Sequence, residues 1–503
     1  MACGLTPGAN GLGQDPADPL GKRLCRRLHS EGVRYCHWKS NYRLQEALQG
    51  RTDLDLLVAR RDAPAFHRIA AELGFREVRA EGWRFYPAMT DYLGYDPAAG
   101  VIHHLHVHYE LLMGARYVKS LRLPFEDECL SSVVHLDGVP VAAPEFEWIL
   151  LVIRFSLKAG SEGRWMSPSR LLRLNVFEPF TEEVRWLAGR VDRQRLIEWL
   201  DRPSMKFLPS AEFIAALEDF TRLRVASRRR IRRSVNHLHR YRRVPRWFLY
   251  RWRELRMYYD RFARQGSGKT LANGGLTLAF VGADGSGKSS LAQAIREALG
   301  KYLSVRSEHL GANYEYRTWR IRWFYVTWYP YLVAQRLLRT TFPSWSGLAR
   351  AVASWEALHD YLLALDKLHK YRRGMRAAAN GSVVVFDRFP LFPGAGDGDY
   401  FHRPRQVRSG IVERFRRKER ACFDRMIPPD VMFYLEVDPQ TAYSRKLTDT
   451  PHHPDMVEAK CKAFRDYFER HKEDRTIHVM PVGSTIAERQ RMVIEMLFGP
   501  QKT

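Results

Sequence analysis

The chain has 503 residues, 45% of them hydrophobic and 27% charged, with a formal net charge of +25. That length should hold two or three domains, each able to bury a core, and the composition is that of an ordinary soluble protein. The charge calls for an acidic partner or surface. The six cysteines (3, 25, 36, 129, 422 and 461) contain no C-x-x-C pair, which argues for a reducing compartment rather than a disulfide framework or a cysteine zinc site.

The first residues, MACGLTPGANGLGQDPADPL, lack a basic n-region and an apolar run. Residues 1–21 therefore read as a disordered leader and not as a signal peptide. The longest apolar stretch, WFYVTWYPYLVA (323–334), is too short to span a bilayer and contains Pro330, so a cytoplasmic location is expected.

Residues 22–210 mix strand-like and helix-like stretches, an α+β region. In DLDLLV (53–58), Asp53 and Asp55 stand at i and i+2, hence on one strand face. Two carboxylates so placed can hold Mg²⁺. VIHHLHVHYELL (101–112) puts His104, His106, His108 and Glu110 on one face. Those histidines are either a polar sheet face or a metal-binding set.

The run YCHWKSNYRLQEALQGRTDLDLLVARRD (35–62) resembles the start of a nucleotidyltransferase fold. The resemblance implies a metal-binding role for Asp53 and Asp55 and a third carboxylate on a later strand, for which Glu110 is the candidate. Of the family's Gly-Ser pair ahead of the acids only Gly50 stands here, which implies a degenerate domain serving in binding or assembly.

Residues 211–275 read as a basic helical connector and linker. The stretch 221–264 carries sixteen arginines and no lysine, against Glu254 and Asp260 alone. Three readings stand for it. It is a solvated helix face, or a dock for anionic lipid through arginine with interleaved Trp247, Phe248, Tyr250 and Trp252, or a nucleic-acid surface. The protein is thus cytoplasmic and, on the second reading, peripheral to the inner membrane face.

The string GSGK then occurs twice between 266 and 290. At the first copy the pattern G-x-x-x-x-G-K-[ST] would need a glycine where Ala263 stands, so Lys269 belongs to a flexible linker. The second copy fits: the apolar run LTLAFV (276–281), then Gly282-Ala283-Asp284-Gly285-Ser286-Gly287-Lys288-Ser289-Ser290, then a helical stretch closed by Gly300. Backbone N–H groups of such a loop cradle phosphates, Lys288 reaches the β/γ-phosphates and Ser289 ligates Mg²⁺. ATP and Mg²⁺ are the expected cofactors.

Beyond the loop, GSVVVFDRF (381–389), PPDVMFYLEVD (428–438) and RTIHVMPV (475–482) read as further buried strands, making 276–503 a parallel α/β domain. Asp387 and Arg388 end a strand, at the sheet edge where ligands bind. Asp387 can hold Mg²⁺, and Arg388 can pair with a phosphate.

The phosphate loop with an acid inside it, Asp387-Arg388-Phe389, and PPDVMFYLEVDPQTAYSRK with Arg445 together resemble the thymidylate kinase family of P-loop kinases. The resemblance covers about 276–500. It implies ATP-dependent phosphoryl transfer to a nucleoside monophosphate or related phosphorylated acceptor, with Asp284 contacting the acceptor's sugar and Asp387 and Arg388 orienting metal and acceptor phosphate. It also implies a mobile lid over 402–425, with Arg403, Arg405, Arg408, Arg414, Arg416 and Arg417 as candidates to gather charge on the moving phosphoryl group. The family's acceptor-gripping arginine falls here on Asp366, leaving Lys367, Arg372 or Arg373 to substitute. The residues after Arg388, PLFPGAGDGDYFHRP, and the aromatic, basic segment 314–343 also depart from the family. The two-domain arrangement resembles thymidylate kinase-like proteins associated with bacterial surface-polysaccharide synthesis. A sugar or glycan hydroxyl is therefore an alternative acceptor, and a nucleotide-gated assembly factor an alternative class.

Overall fold

The computed structural model describes residues 18–80, 85–115, 118–158, 180–263, 268–311, 333, 346–391, 410–446 and 454–498. They fall into two units. One runs to Phe262 and includes the chain from Ile494 onward; the other is Ala263–Val493.

In the first unit, short runs of branched and apolar residues form β1 (Tyr35–His37), β2 (Leu54–Val58), β3 (Arg76–Ala80), β4 (Met89–Asp96) and β5 (Val101–His108). A hairpin of β6 (Leu111–Ala115) and β7 (Val118–Leu123) follows, then β8 (Val134–Leu136) and β9 (Val139–Val141). Sheet order runs β3-β4-β5-β2-β1-β9-β8, with β2 parallel to β5 and β4 antiparallel to it. Strand alternation sends Leu54, Leu56 and Val58 to one core, shared with α1 (Leu20–Ser30) and α2 (Ala63–Glu72), through Leu24, Leu28, Phe66 and Ile69. Leu57 and Cys36 point to the other core, built on the largely buried α3 (Pro144–Lys158).

Two boundary expectations need correction. Helix α1 already begins at Leu20, whose N–H donates to Asp96 Oδ2 (2.9 Å), so residues 20 and 21 are not leader; residues 1–17 lie outside the described set. The stretch 211–262 is no separate connector either. Helix α4 (Ser210–Glu218) gives Phe213 and Ala216 to the α3 core, and α5 (Val225–Ser234) gives Ile231. Helix α6 (Arg243–Ala263) seats Tyr250 against Val118. The few apolar residues spaced among the arginines are enough to dock these helices.

The second unit is a five-stranded parallel sheet. Its strands are β11 (Leu276–Val281), β12 (Val305–His309), β13 (Val383–Asp387), β14 (Val431–Leu435) and β15 (Ile477–Met480), in the order β12-β13-β11-β14-β15. Its central strands β11 and β13 are buried at every residue but Leu276, as a sheet covered by helices on both faces requires. The edge strand β12, with Arg306, Ser307 and Glu308 in its middle, has no apolar run to announce it. Thr277 donates from N and Oγ1 to Asp430 Oδ2 (2.8 and 2.7 Å), tying β11 to the entry of β14. Helices α7 (Lys288–Leu299), α8 (Ser346–Ala379), α9 (Gly410–Phe423), α10 (Pro439–Lys446), α11 (Pro454–Arg470) and the part of α12 (Ile486–Phe498) up to Val493 complete the order. Among the described residues no helix is long and apolar enough to cross a membrane.

Candidate active site

The chain leaves β11 at Val281 and turns at once through Gly282 and Gly285, at φ 147° and 82°. A Cβ on Gly282 would stand 2.6 Å from the Leu435 carbonyl, and one on Gly285 2.7 Å from that of Ala442. Only glycine permits both the backbone turn and this approach to β14 and α10. Gly287 caps α7 at φ 91°, so the loop's N–H groups gather at a helix N-terminus. Lys288 is buried, its ammonium donating to the carbonyls of Gly282 and Ala283 (2.8 Å each). Ser286 Oγ is buried without a hydrogen-bond partner among the described residues. At the far end Gly300 caps α7 in right-handed conformation (φ −63°), its N–H returning to Arg296 O.

The two GSGK copies lie at opposite edges of the sheet. Lys269 opens a short strand, β10 (Lys269–Leu271), and does not lie in a flexible linker as expected. Its carbonyl accepts from Ser304 N (2.7 Å), while Leu271 N donates to Gly381 O (2.8 Å). Ser304 and Gly381 precede β12 and β13, so this copy sits at the amino edge, whereas Lys288 follows a strand's carboxyl end. Residues 264–267 lie outside the described set.

At the carboxyl edge, Ser289 Oγ donates to Asp387 Oδ2 (2.9 Å), and His309 Nδ1 meets the same oxygen at 2.9 Å. Burial by itself would push the Asp387 pKa up; the His309 and Ser289 contacts and the Lys288 charge overcome it and hold it below the usual value. Asp387 Oδ1 is buried with no hydrogen-bond partner among the described residues. Arg388 takes φ 62°, a left-handed conformation that a non-glycine residue seldom adopts, and its Nη2 lies 3.1 Å from Asp284 Oδ1. Lys460, from α11, reaches Asp284 Oδ2 (3.0 Å). Against the cost of burial, the Lys460, Arg388 and Lys288 charges hold Asp284 well below the ordinary carboxylate range.

Two more arginines meet the loop from the other side. Arg489 Nη1, on α12, donates to Ser286 O (2.9 Å), and Arg445 Nη1, on α10, to Gly285 O (3.1 Å). His309, Lys460 and Arg489 are absent from the sequence reading. His309 ends a strand, so the strand-end criterion that singled out Asp387 would have found it had β12 been seen. No local signal marks Lys460 or Arg489.

The remaining candidates separate. Asp366 forms a buried ion pair with Lys370 (2.9 Å), and Lys367 is buried beside them on α8. Arg373 forks onto buried Glu308 (2.8 and 2.5 Å). Arg372 is exposed, and nothing in the geometry brings it to the loop. In the expected lid, residues 410–423 are the helix α9, packed on α8 through Val412 and the Phe415–Tyr361 ring stack. Arg414 and Arg417 are exposed there and Arg416 half-buried. Arg403, Arg405 and Arg408 lie outside the described residues, as does the aromatic segment within 312–332 and 334–345.

In the first unit Asp53 and Asp55 do face the β5 histidines, but not as an open carboxylate pair. Lys39 Nζ sits 2.8 Å from Asp55 Oδ1. Despite burial, Lys39, His106 and His108 hold Asp55 well below the ordinary carboxylate range. Glu110 is not the third acid: it lies past the end of β5 and pairs with Arg60 (3.0 Å) and Arg240. Asp91 is the acid that meets the histidines instead: β4 pairs with β5 on the side opposite β2, and Asp91 and Asp55 both stand opposite His106.

No protein-family model matches the chain. It is 27% identical over 177 residues to an uncharacterised ATP-binding protein of Escherichia coli, YghR, across 34% of this chain and 68% of that protein. It is 32% identical over 108 residues to a thymidylate kinase of Gloeobacter violaceus, across 20% of this chain and 45% of that one. Among solved structures, a deoxyadenosine kinase of M. mycoides with bound dATP superposes with a TM-score of 0.28 at 14% identity, over 44% of this chain and 98% of the other. A thymidylate kinase of Candida albicans gives 0.28 at 18% identity, over 44% and 91%.

Proposed function

We propose that the second unit is an ATP- and Mg²⁺-dependent phosphotransferase that moves a phosphoryl group to a nucleoside monophosphate or a related phosphorylated acceptor. One observation carries this reading: the phosphate loop and Asp387 meet at one sheet edge, where Asp387 Oδ1 is buried without a hydrogen-bond partner among the described residues. A carboxylate oxygen in that state, beside a serine hydroxyl at the loop, suits a hard divalent cation. Ser289 and Asp387 would hold Mg²⁺, which supplies charge neutralisation on the phosphates when bound. The likeness to a protein described as ATP-binding supports ATP as donor.

The residues divide the work by charge. Loop N–H groups of 282–289 receive the phosphates, and Lys288 would exchange its two carbonyl contacts for the β/γ-phosphate oxygens. Asp284 is held ionised between Arg388 and Lys460, oriented to accept from a sugar hydroxyl. Arg388 would turn its guanidinium to the acceptor phosphate. The strained Arg388 backbone fits a residue whose position serves chemistry over stability. ATP turnover by the whole protein, screened against nucleoside monophosphates and sugar phosphates, tests this. Stimulation by a monophosphate supports it; stimulation by unphosphorylated sugar or glycan alone makes the acceptor a hydroxyl of a polysaccharide precursor instead.

The first unit we read as a degenerate nucleotidyltransferase-like domain, because Lys39 already neutralises Asp55 and β5 sets His104 and His106 between the β2 acids and Asp91. A peripheral role is supported by α6. Val244, Trp247, Phe248, Trp252, Leu255 and Tyr259 are exposed at helical spacing, whereas Tyr250, expected among the interleaved aromatics, is buried. An exposed aromatic stripe on an arginine-rich helix suits an anionic lipid surface.

A further inference from the structure

We infer that Asp53, His104 and His106 form a binding site for one divalent transition-metal ion of the zinc class, distinct from the phosphate-loop site. One ligand atom from each of the three lies within 4.8 Å of the other two. The strands explain the convergence. His104 and His106 are two apart on β5 and therefore share a face, with ring centroids 4.4 Å apart. Parallel pairing with β2 brings Asp53 and Asp55 beside them, and antiparallel pairing with β4 brings Asp91.

The contacts of the two rings point to a cation. His104 meets Asp53 Oδ1 through Nδ1 (2.8 Å) and Asp91 Oδ1 through Nε2 (3.3 Å). His106 meets Asp55 Oδ1 (3.3 Å) and Asp53 Oδ2 (3.7 Å) through Nδ1, and Asp91 Oδ1 through Nε2 (3.3 Å). Each ring thus has carboxylate oxygens at both nitrogens. A neutral imidazole carries one N–H, so one nitrogen of each ring would turn its lone pair on an anion. A metal ion bound by both Nδ1 atoms and Asp53 removes that conflict. Asp91, buried, then accepts Nε2–H from both histidines, the outer carboxylate that orients metal-bound imidazole.

A second observation is independent of those three residues. His108, fully buried two positions further along the same face, has neither ring nitrogen hydrogen-bonded among the described residues. Its Nε2 stops 3.8 Å from Asp55 Oδ1, aimed into the same cluster.

The donor set decides the class of ion. Two imidazole nitrogens and one carboxylate favour Zn²⁺, Co²⁺ or Ni²⁺; Mg²⁺ prefers an all-oxygen shell. The carboxylate pair that would suit Mg²⁺ is compromised by the Lys39 contact to Asp55. Three protein ligands leave a fourth position open, and Asp53 is 48% exposed, so water or a phosphate oxygen has access to it.

The test uses the full chain, stripped with EDTA and titrated with Co²⁺ and with Zn²⁺. About one equivalent should bind, Co²⁺ should give visible absorption of low-coordinate intensity, and millimolar Mg²⁺ should not displace it. His104→Gln and His106→Gln should each weaken binding by at least about tenfold, and Asp91→Asn by about 10–100-fold. Unfolding midpoints of metal-free proteins report whether a variant folds; should the histidine variants fail to, the wild-type spectrum and the Mg²⁺ competition decide. Absence of stoichiometric Co²⁺ or Zn²⁺ binding by the wild type, displacement by Mg²⁺, or wild-type affinity in folded His104→Gln would each overturn the assignment.

Discussion

Ser289, on the first turn of the helix after the phosphate loop, donates a 2.9 Å hydrogen bond to Asp387 at the end of the neighbouring strand, 98 residues later. The bond joins the two groups proposed to share Mg²⁺. Asp387→Asn should therefore lower kcat by roughly two to four orders of magnitude, the scale of several kcal/mol of lost charge stabilisation. Steady-state turnover across a Mg²⁺ titration checks this, and the nucleotide dissociation constant should move far less. An unchanged kcat at saturating Mg²⁺ removes Asp387 from the metal.

Lys288→Ala should abolish turnover, and Lys269→Ala should leave it near wild type. The two lysines share the string GSGK, but only Lys288 follows the carboxyl end of a parallel strand, while Lys269 lies at the amino edge. Equal losses from the two substitutions would refute the assignment of the loop.

Arg388 gives a prediction in which activity and stability part. At φ 62° a side chain costs about 1–2 kcal/mol that glycine does not incur. Arg388→Gly should be more stable than Arg388→Ala by about 1 kcal/mol in denaturant unfolding, although both lose the Asp284 contact and both should raise the acceptor KM. A more stable alanine variant would mean that the left-handed conformation is not kept in solution.

Glu147 sets a pH dependence in the first unit. It is buried on α3 and accepts from Asn41 N (3.0 Å) and Asn41 Nδ2 (2.7 Å). Burial pushes its pKa up to about 8 from the ordinary 4.5, the Asn41 bonds opposing and nearby Glu183 adding. Between those values the native state holds a proton that the unfolded state has released. The stabilising contribution is thus complete below 4.5 and is lost as pH rises through 8. Glu147→Gln cannot ionise, so its unfolding free energy relative to wild type should climb from pH 5 to pH 8.5, by at most a few kcal/mol at about 1.4 per pKa unit. A constant difference between the two proteins would show that Glu147 titrates as an ordinary carboxylate.

The α6 stripe predicts co-sedimentation with vesicles containing phosphatidylglycerol, none with phosphatidylcholine alone, and release by high salt. Trp247→Ser with Trp252→Ser should weaken binding at least tenfold without changing ATP turnover. The α5 arginines are poorer targets, because Arg230 pairs with Glu212 (2.7 Å) and Arg232 donates to Ser156 O (3.1 Å), so their loss would also disturb the fold. Binding to single-stranded nucleic acid in place of anionic vesicles, with a steep salt slope, would exclude the lipid reading.

Residues 276–300 could be read from sequence as strand, phosphate loop and helix because every determinant is local. The apolar run, the glycines that allow positive φ and the amphipathic helix depend on neighbours a few residues away. Asp387 was legible for the same reason, as the charge that ends a buried run. The pairing of Asp53 with β5 was partly legible, through strand alternation.

Tertiary structure alone decided the rest. Strand order brings His309 to Asp387, and helix packing brings Lys460 to Asp284 and Arg489 to the loop carbonyls. It also set Asp91, and not Glu110, beside the β5 histidines and committed Lys39 to Asp55. The apolar residues of 211–262 joined a core that their arginine-rich neighbours had concealed. Local backbone preferences act over one turn or one strand, whereas these meetings depend on which strands become neighbours and in what register. That choice is made by burying apolar surface from distant parts of the chain at once, and no short stretch of sequence carries it.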